Sequence, residues 1–462
     1  MEGQREKDRG RKKNGKVMMT GAALFNWSET QRMIEISMEM YQRGYQIVFL
    51  GEGKYDFLLQ DKPFIREKLC ADQMWYHKER IEKMLDMDHV GSEYAKMQEI
   101  EKVVAEEISL IKRYQPAVIL TGYRMTLSVS ARIMKVKIVW CLSAVLSAPY
   151  FEKNMERFQD FEENRKRKKE SRLLFREARA LCEDALAYAK MVQECTTVKE
   201  WNDCLERYGA KHFRCNIEIY RGDLNLMSDA RELFSQIKER QGEYEFIGPI
   251  FNSQKIEMPL EVREIQNNPE RKRKKKILIS LGSAGRKEVF CQVLEAMRKF
   301  DFEFFISVIG MLSQEEMVDY PENFHFYEKF PLIEIAQICD AAIIQGGQGT
   351  LYAVAAGRCP FLAFPTTYEQ RHNTENMIRF RKCGKILYSY ERKIKQIEEA
   401  FSELIENPEY QREIELIHQI IEGYLCDSKR RAEKRAADAI EKLIAQRADV
   451  SGRINEEKSI ID

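Results

Sequence analysis

Between Asp340 and Met377 the chain reads DAAIIQGGQGTLYAVAAGRCPFLAFPTTYEQRHNTENM, and these residue types suit phosphate and sugar chemistry. Ala341 to Ile344 predicts a buried strand, Gln345-Gly346-Gly347-Gln348-Gly349-Thr350 a glycine-rich turn, and Leu351 to Ala356 a helix stopped by Gly357. Glycines where a strand passes into a helix let backbone N–H groups approach an anion with no Cβ in the way, and the helix start adds partial positive charge. Such a turn can cradle a phosphate; the same glycines also suit a plain tight turn. A second apolar strand, Phe361 to Phe364, ends at Pro365, and Glu369-Gln370 follows, a pair that accepts and donates hydrogen bonds as sugar hydroxyls require. No GxxxxGK[ST] occurs, which removes a P-loop NTPase, and GGxG late in the chain is not the GxGxxG of a nicotinamide enzyme.

The elements that must position this segment repeat one grammar. Val17-Met18-Met19 predicts a strand and Thr20-Gly21-Ala22-Ala23 a loop. Met33, Ile36 and Met40 form a helical stripe within Thr30 to Gly44, and Ile47 to Leu50 predicts the next strand. Val118 to Leu120 and Ile138 to Trp140 continue the pattern. The second half restarts at Ile277 to Ser280, then Gly282-Ser283-Ala284-Gly285, a helix over Glu288 to Phe300, a strand over Phe304 to Ile309, Phe324 to Phe326, and a helix over Leu332 to Cys339. Two doubly wound α/β halves joined near Gly248-Pro249 are expected. The basic run Arg271 to Lys276 reads as a solvated linker. The charged stretch from Phe151 to Lys211 reads as surface helices, with a coiled-coil partner site as the weaker alternative because its apolar positions do not sustain heptads.

A chain of 462 residues holds two or more cores. Its 75 Lys+Arg against 74 Asp+Glu leave a net charge of +1, which calls for no nucleic-acid partner. Eleven scattered cysteines without a CxxC suit a reducing compartment, and no His or Cys pair has zinc spacing. No secretory signal and no stretch of ~20 apolar residues is found, so a cytoplasmic location is expected, with room for peripheral membrane contact. Among the six histidines, His89 in Met84–His89 reads either as part of an acceptor-facing loop or as a solvated surface residue.

The segment resembles the donor-binding region of the GT-B fold UDP-glycosyltransferase superfamily, with its bacterial macrolide and antibiotic members. That pattern is a strand, HGGxGT, a helix ending in AAG, a strand ending in Pro, and D/E-Q with Asn three residues on. Gly346-Gly347, Gly349-Thr350, Ala355-Ala356-Gly357, Pro365, Glu369-Gln370 and Asn373 fall in register. Gly282-Ser283, Phe330-Pro331, Gly248-Pro249, Gly222-Asp223-Leu224 and Arg43-Gly44-Tyr45 match further marks. The resemblance covers most of the chain and is strong from Ile277 to Gly384. It implies two Rossmann-like domains facing each other across a cleft. It also implies that Ser283, Gly347, Gly349 and Thr350, with Gln345 and Gly346 in the turn, bind the diphosphate of a UDP-sugar. Glu369 and Gln370 would then hold the sugar, and the backbone near Phe330 the uracil. The expected layout is a basic disordered tail over 1–15, an acceptor domain over 16–250, a linker over 251–276, a donor domain over 277–425, and a helix over 426–462 returning to the first domain before fraying.

Departures from the pattern bear on catalysis. Gln345 replaces the His before the glycines and carries no charge. The His that deprotonates the acceptor in many members aligns at or next to Glu29, and the Asp that orients it is replaced within Thr121-Gly122-Tyr123. Glu29 then reads either as the catalytic base or as a cap of the following helix. Ala353 stands where plant members place a ribose-binding Glu. The implied activity is inverting transfer of a hexose from a UDP-sugar, or another NDP-sugar, to a hydroxyl of a small hydrophobic or lipid-like acceptor, with no obligatory metal or other cofactor. Phe25, Trp27, Met74, Trp75, Tyr76, Met84 and Met87 suit such an acceptor and equally suit a core. The alternatives are a non-catalytic glycosyltransferase-like partner or nucleotide-sugar sensor and, third, a nucleotide-sugar epimerase. Acceptor, sugar and oligomeric state are not written in the sequence.

Overall fold

The computed structural model describes residues 16–24, 26–72, 96–167, 175–192, 198–251, 256–282, 285–309, 311–388 and 391–459. It separates into two compact units: Met1–Asp229 with Gln236–Gly248 and Arg431–Asp462, and Ala230–Ser235 with Pro249–Arg430.

The first unit is built on a seven-stranded sheet in the order β3-β2-β1-β4-β5-β6-β7, every pair parallel. The strands are β1 (Val17–Gly21), β2 (Gln46–Leu50), β3 (Ile65–Glu67), β4 (Val118–Thr121), β5 (Ile138–Leu142), β6 (Leu224–Met227) and β7 (Tyr244–Phe246). Val118, Ile119 and Leu120 are all fully buried, as expected of a central strand covered on both faces. The chain winds from β1 out to β3, then returns to β4 on the other side of β1, so the winding reverses between β1 and β4.

Helix α1 (Trp27–Gln42) follows β1, and its start is fixed by the Asn26 side chain, which accepts from the Glu29 amide at 3.1 Å. Helices α2 (Met97–Tyr114) and α3 (Thr126–Met134) flank β4. The charged stretch from Phe151 to Lys211 is helical, as its spacing suggests, over Ala148–Arg167 and Phe175–Met191, which lie against each other, and over Lys199–Arg207, which drives Trp201, Cys204 and Leu205 into the core.

The second unit has a six-stranded parallel sheet, order β10-β9-β8-β11-β12-β13. Its strands are β8 (Lys276–Ser280), β9 (Glu303–Ser307), β10 (Phe324–Tyr327), β11 (Ala341–Ile344), β12 (Phe361–Ala363) and β13 (Gly384–Ile386). Here the winding reverses between β8 and β11. The expected linker is structured. Helix α4 (Leu260–Asn267) buries Val262 and Ile265, and a short helix over Pro269–Arg273 is capped by Asn268. Arg271 pairs in a bidentate fashion with Glu303 at 2.9 and 2.7 Å, and Lys276 opens β8, donating to the carbonyls of Lys272 and Lys274. Lys272 and Arg273 stay exposed, as like charges in a block require, while Arg271 is neutralised by a carboxylate of the neighbouring strand.

Helix α5 (Lys287–Met297) covers one face of the second sheet; α6 (Gln348–Ala356) follows β11, and α7 (Tyr368–Phe380) follows β12. The last helix, α8 (Ala432–Ser459), groups with the first unit. It packs on α1 through buried Ala436, Ala437 and Ile440, and Arg43 at the end of α1 binds Asp438 (2.7 Å) and Glu441 (2.8 Å). Among the described residues no helix is long and apolar enough to cross a membrane.

Candidate active site

In open parallel sheets, ligands gather beyond the carboxyl ends of the strands where the winding reverses. Both units put their most unusual residues there. In the first unit, Glu29 projects from the first turn of α1 back toward the loops after β1 and β4. Its Oε1 accepts from the Ala23 and Tyr123 amides, each at 3.2 Å. The residue is fully buried, and Oε2 has no hydrogen-bond partner. Burial pushes the carboxyl up from 4.5 to about 7, against the opposing pull of those two amides and of Arg32 and Arg124. The helix cap is Asn26, so Glu29 is not the cap that the sequence left as an alternative. Gly122 is obligatory: a Cβ there would lie 2.7 Å from Glu29 Cγ.

The departures from the resembled pattern at Glu29 and at Thr121-Gly122-Tyr123 fit this geometry. An imidazole needs an acceptor to orient its N–H; a carboxylate needs a donor, and a second carboxylate would repel it. The loop after β4 supplies a backbone N–H, from Tyr123, in place of an acidic side chain. The next residue, Arg124, anchors that loop. It is fully buried, bidentate to Asp72 (2.9 and 2.6 Å) and bonded to Glu107 (2.8 Å). Glu107 also accepts from Thr126 and Ser130, and burial pushes its carboxyl upward. Sequence reading missed this cluster because its members are about 50 and 17 positions from Arg124 and have no motif spacing.

In the second unit, the glycine turn after β11 enters α6 earlier than the apolar pattern suggests, with Gly347 as N-cap and Gln348 as first helical residue. The first intrahelical bond runs from the Leu351 amide to Gly347 O at 2.9 Å, so the amides of Gly349 and Thr350 lie in the turn that has no intrahelical acceptors. Gly346 takes φ +92°, and a Cβ would come within 2.2 Å of Thr374 Oγ1. A Cβ on Gly347 would meet nothing within 4 Å: that side of the turn is open. Gly282, after β8, has φ +67° and the same open surroundings.

Other expected donor residues are tied into this edge. Gln345 Nε2 donates to Thr366 Oγ1 at 2.7 Å. Gln370 closes a capping box with Thr367, its Oε1 accepting from the Thr366 amide (2.9 Å), the Thr367 amide (3.2 Å) and Thr366 Oγ1 (3.1 Å). Its oxygen is committed to holding α7, so Gln370 has only its Nε2 to offer a ligand. Glu369, one position earlier, is half-buried. Thr366 links Gln345 to Gln370 and was not singled out in the sequence; its signal is a TT pair before the EQ pair, a capping-box pattern. Phe330 is buried edge-on against Tyr327, 5.7 Å between centroids. Ser283 lies outside the described residues, as do Phe25, His77, His89, Met74, Trp75, Tyr76, Met84, Met87 and the tail 1–15.

No protein-family model matches the chain. It is 24% identical over 229 residues to a protein of Bacillus subtilis described as the uncharacterized UDP-glucosyltransferase YojK, covering 49% of this chain and 53% of that protein. It is 27% identical over 172 residues to the NDP-glycosyltransferase YjiC of Bacillus licheniformis, covering 37% and 41%. The chain thus spans about half the length of the curated relatives it matches. Among solved structures it is similar to the calicheamicin glycosyltransferase CalG4, with a TM-score of 0.63 at 14% identity over 93% of this chain and 98% of that one. The glycosyltransferase VinC, in complex with dTDP, gives 0.62 at 12% identity over 94% and 100%. The chain has the two-sheet α/β fold of these GT-B glycosyltransferases, and its curated relatives bear glycosyltransferase names.

Proposed function

We propose that the chain is an inverting glycosyltransferase that takes a hexose from a UDP-sugar or related NDP-sugar and passes it to a hydroxyl of a small apolar acceptor. The observation that carries this reading is the open amide-rich start of α6, with Gly347 facing free space at the point where the second sheet reverses its winding. The names of the similar Bacillus proteins support a nucleotide-sugar donor, and the dTDP in VinC supports a nucleoside diphosphate as the group held.

In the proposed reaction the acceptor oxygen attacks the anomeric carbon, the bond from that carbon to the β-phosphate oxygen breaks, and the nucleoside diphosphate departs. Amides of Gly349 and Thr350 take up the charge that develops on it, together with the positive end of α6. Gln345 cannot add the charge a His would, so the helix start carries more of this task, and no metal is required. The acceptor's proton goes to Glu29 Oε2, the oxygen left without a partner. A carboxyl held near 7 is ionised in a useful fraction at neutral pH and is more basic than a free one. Because Glu29 is fully buried, the acceptor must displace covering side chains to reach it. Trp27 stands two residues before Glu29 and packs with Tyr55 (5.4 Å between centroids) and the exposed Phe57 (5.8 Å), which supports an apolar or planar acceptor.

That complete burial also favours a second reading, a nucleotide-sugar-binding protein without turnover. Calorimetry with UDP, dTDP and their sugars, followed by release of the diphosphate in the presence of an acceptor panel, separates the two. Binding with acceptor-dependent release supports transfer; binding without release supports the sensor; no binding of any nucleoside diphosphate overturns both.

A further inference from the structure

The geometry points to a second binding site in the first unit, at the amino ends of β5 and β6, for a phosphate group carried on a small organic body. A cavity of about 470 Å³ opens there, between the end of α3 and the turns entering the two strands. Five cations line it, Arg132, Lys135, Lys137, Arg214 and Arg221, against two carboxylates, Glu218 and Asp223.

The pairing leaves a surplus of positive charge. Lys137 binds Asp223 at 2.8 Å, Arg214 binds Glu218 at 2.8 Å, and Arg221 turns to Glu243. Arg132 spends Nη1 on the carbonyls of Lys211 (3.0 Å) and His212 (2.8 Å), lies over the Phe213 ring at 4.1 Å, and keeps Nη2 4.0 Å from Glu218. Burial lowers its affinity for a proton, the mark of a cation only partly compensated. Lys135, held in the left-handed conformation at φ +53°, donates its backbone N–H to Ala131 O to close α3, and its side chain makes no hydrogen bond or ion pair among the described residues. Cations at the end of α3 would be drawn there by the helix dipole alone, but that accounts for Arg132 and Lys135 and not for the three on the neighbouring turns. Tetrahedral phosphate suits a guanidinium with a free edge beside a mobile ammonium. Val136 and Phe213 give the wall an apolar side, and the volume exceeds what one phosphate fills, so the ligand brings an organic body.

This pocket is not the one at Glu29. It lies at the opposite end of the same sheet, one strand length of ~16 Å away, where parallel sheets do not ordinarily bind their substrates.

The test titrates inorganic phosphate, glycerol 3-phosphate and phosphatidic acid vesicles against the full chain, read by calorimetry for the first two and by co-sedimentation for the third. Lys135→Glu carries it, because that side chain holds nothing in place; Arg132→Gln is the companion, and Gly347→Asp controls for phosphate bound at the glycine turn. We expect saturable binding that weakens at least tenfold in Lys135→Glu, survives Gly347→Asp, and declines with rising salt. Binding of the soluble compounds alone identifies a free phosphate ester, and binding of the vesicles alone a lipid headgroup; either upholds the site. No saturable binding of any of the three, binding indifferent to Lys135→Glu, or binding abolished by Gly347→Asp overturns it.

Discussion

The two sheets reverse their winding in the same way, between β1 and β4 and between β8 and β11, yet they finish the two edges oppositely. The first edge is closed. It folds a carboxylate inward, satisfies one oxygen with two amides, and leaves the other unpartnered and dry. The second edge is open. It presents the start of a nine-residue helix behind glycines whose missing side chains leave room. On the proposed reading, one fold makes a proton-accepting site by desolvation and an anion-accepting site by exposure. The sign of the charge each would stabilise follows from which backbone groups the loop offers and how much water it admits.

Glu29→Gln tests the closed edge hardest. Turnover with acceptor should fall by about 100- to 10,000-fold while calorimetric affinity for UDP stays within twofold. In the parent protein the rate should rise with pH through about 7, following ionisation of Glu29. An unchanged rate would falsify the base assignment and leave the open edge standing alone.

The same residue makes a stability prediction. Unfolded, Glu29 releases its proton near 4.5; folded, it keeps it until about 7. Stability is therefore full below the lower value and declines as pH rises through the upper one, by about 3 kcal/mol from this residue. Denaturant titrations at pH 5 and pH 8.5 should show that decline in the parent and its loss in Glu29→Gln.

At the open edge, Gly347→Asp separates binding from folding. Aspartate is a favoured N-cap and its Cβ meets nothing, so thermal stability should hold or rise slightly. Its charge would face the diphosphate, and UDP affinity should fall by about tenfold or more, roughly the 1.4 kcal/mol of one decade. Affinity equal to the parent's would remove the diphosphate from this turn. The smallest effect is expected for Thr366→Val, which breaks the link from Gln345 to the α7 cap and should cost about 1 kcal/mol of stability. A loss several times larger would mean that the link organises the whole edge.

Much of the second unit was legible in the sequence. The strands over Ala341–Ile344 and Phe361–Ala363 and the helix over Leu332–Ile338 emerge close to where apolar runs and stops indicate. The strands β3, β7 and β13 were not legible, because charged residues interrupt each three-residue run, unlike the wholly apolar β12, and each is fixed by the neighbour it pairs with. The basic run before β8 misled for a related reason: its neutralising partner, Glu303, comes from the adjacent strand.

The glycine spacing and the apolar strands settled the fold class, and with the EQ pair they marked the turn proposed to hold an anion, because these are local properties of backbone freedom and burial. Only the tertiary structure decided what Glu29 and Gln370 do. Glu29 owes its raised proton affinity to the exclusion of water, which outweighs the amide that a loop nearly a hundred residues away donates to it, and Gln370 gave its oxygen to a helix cap. Such roles depend on which groups meet in space and how dry the meeting place is, and neither is written in the order of residues.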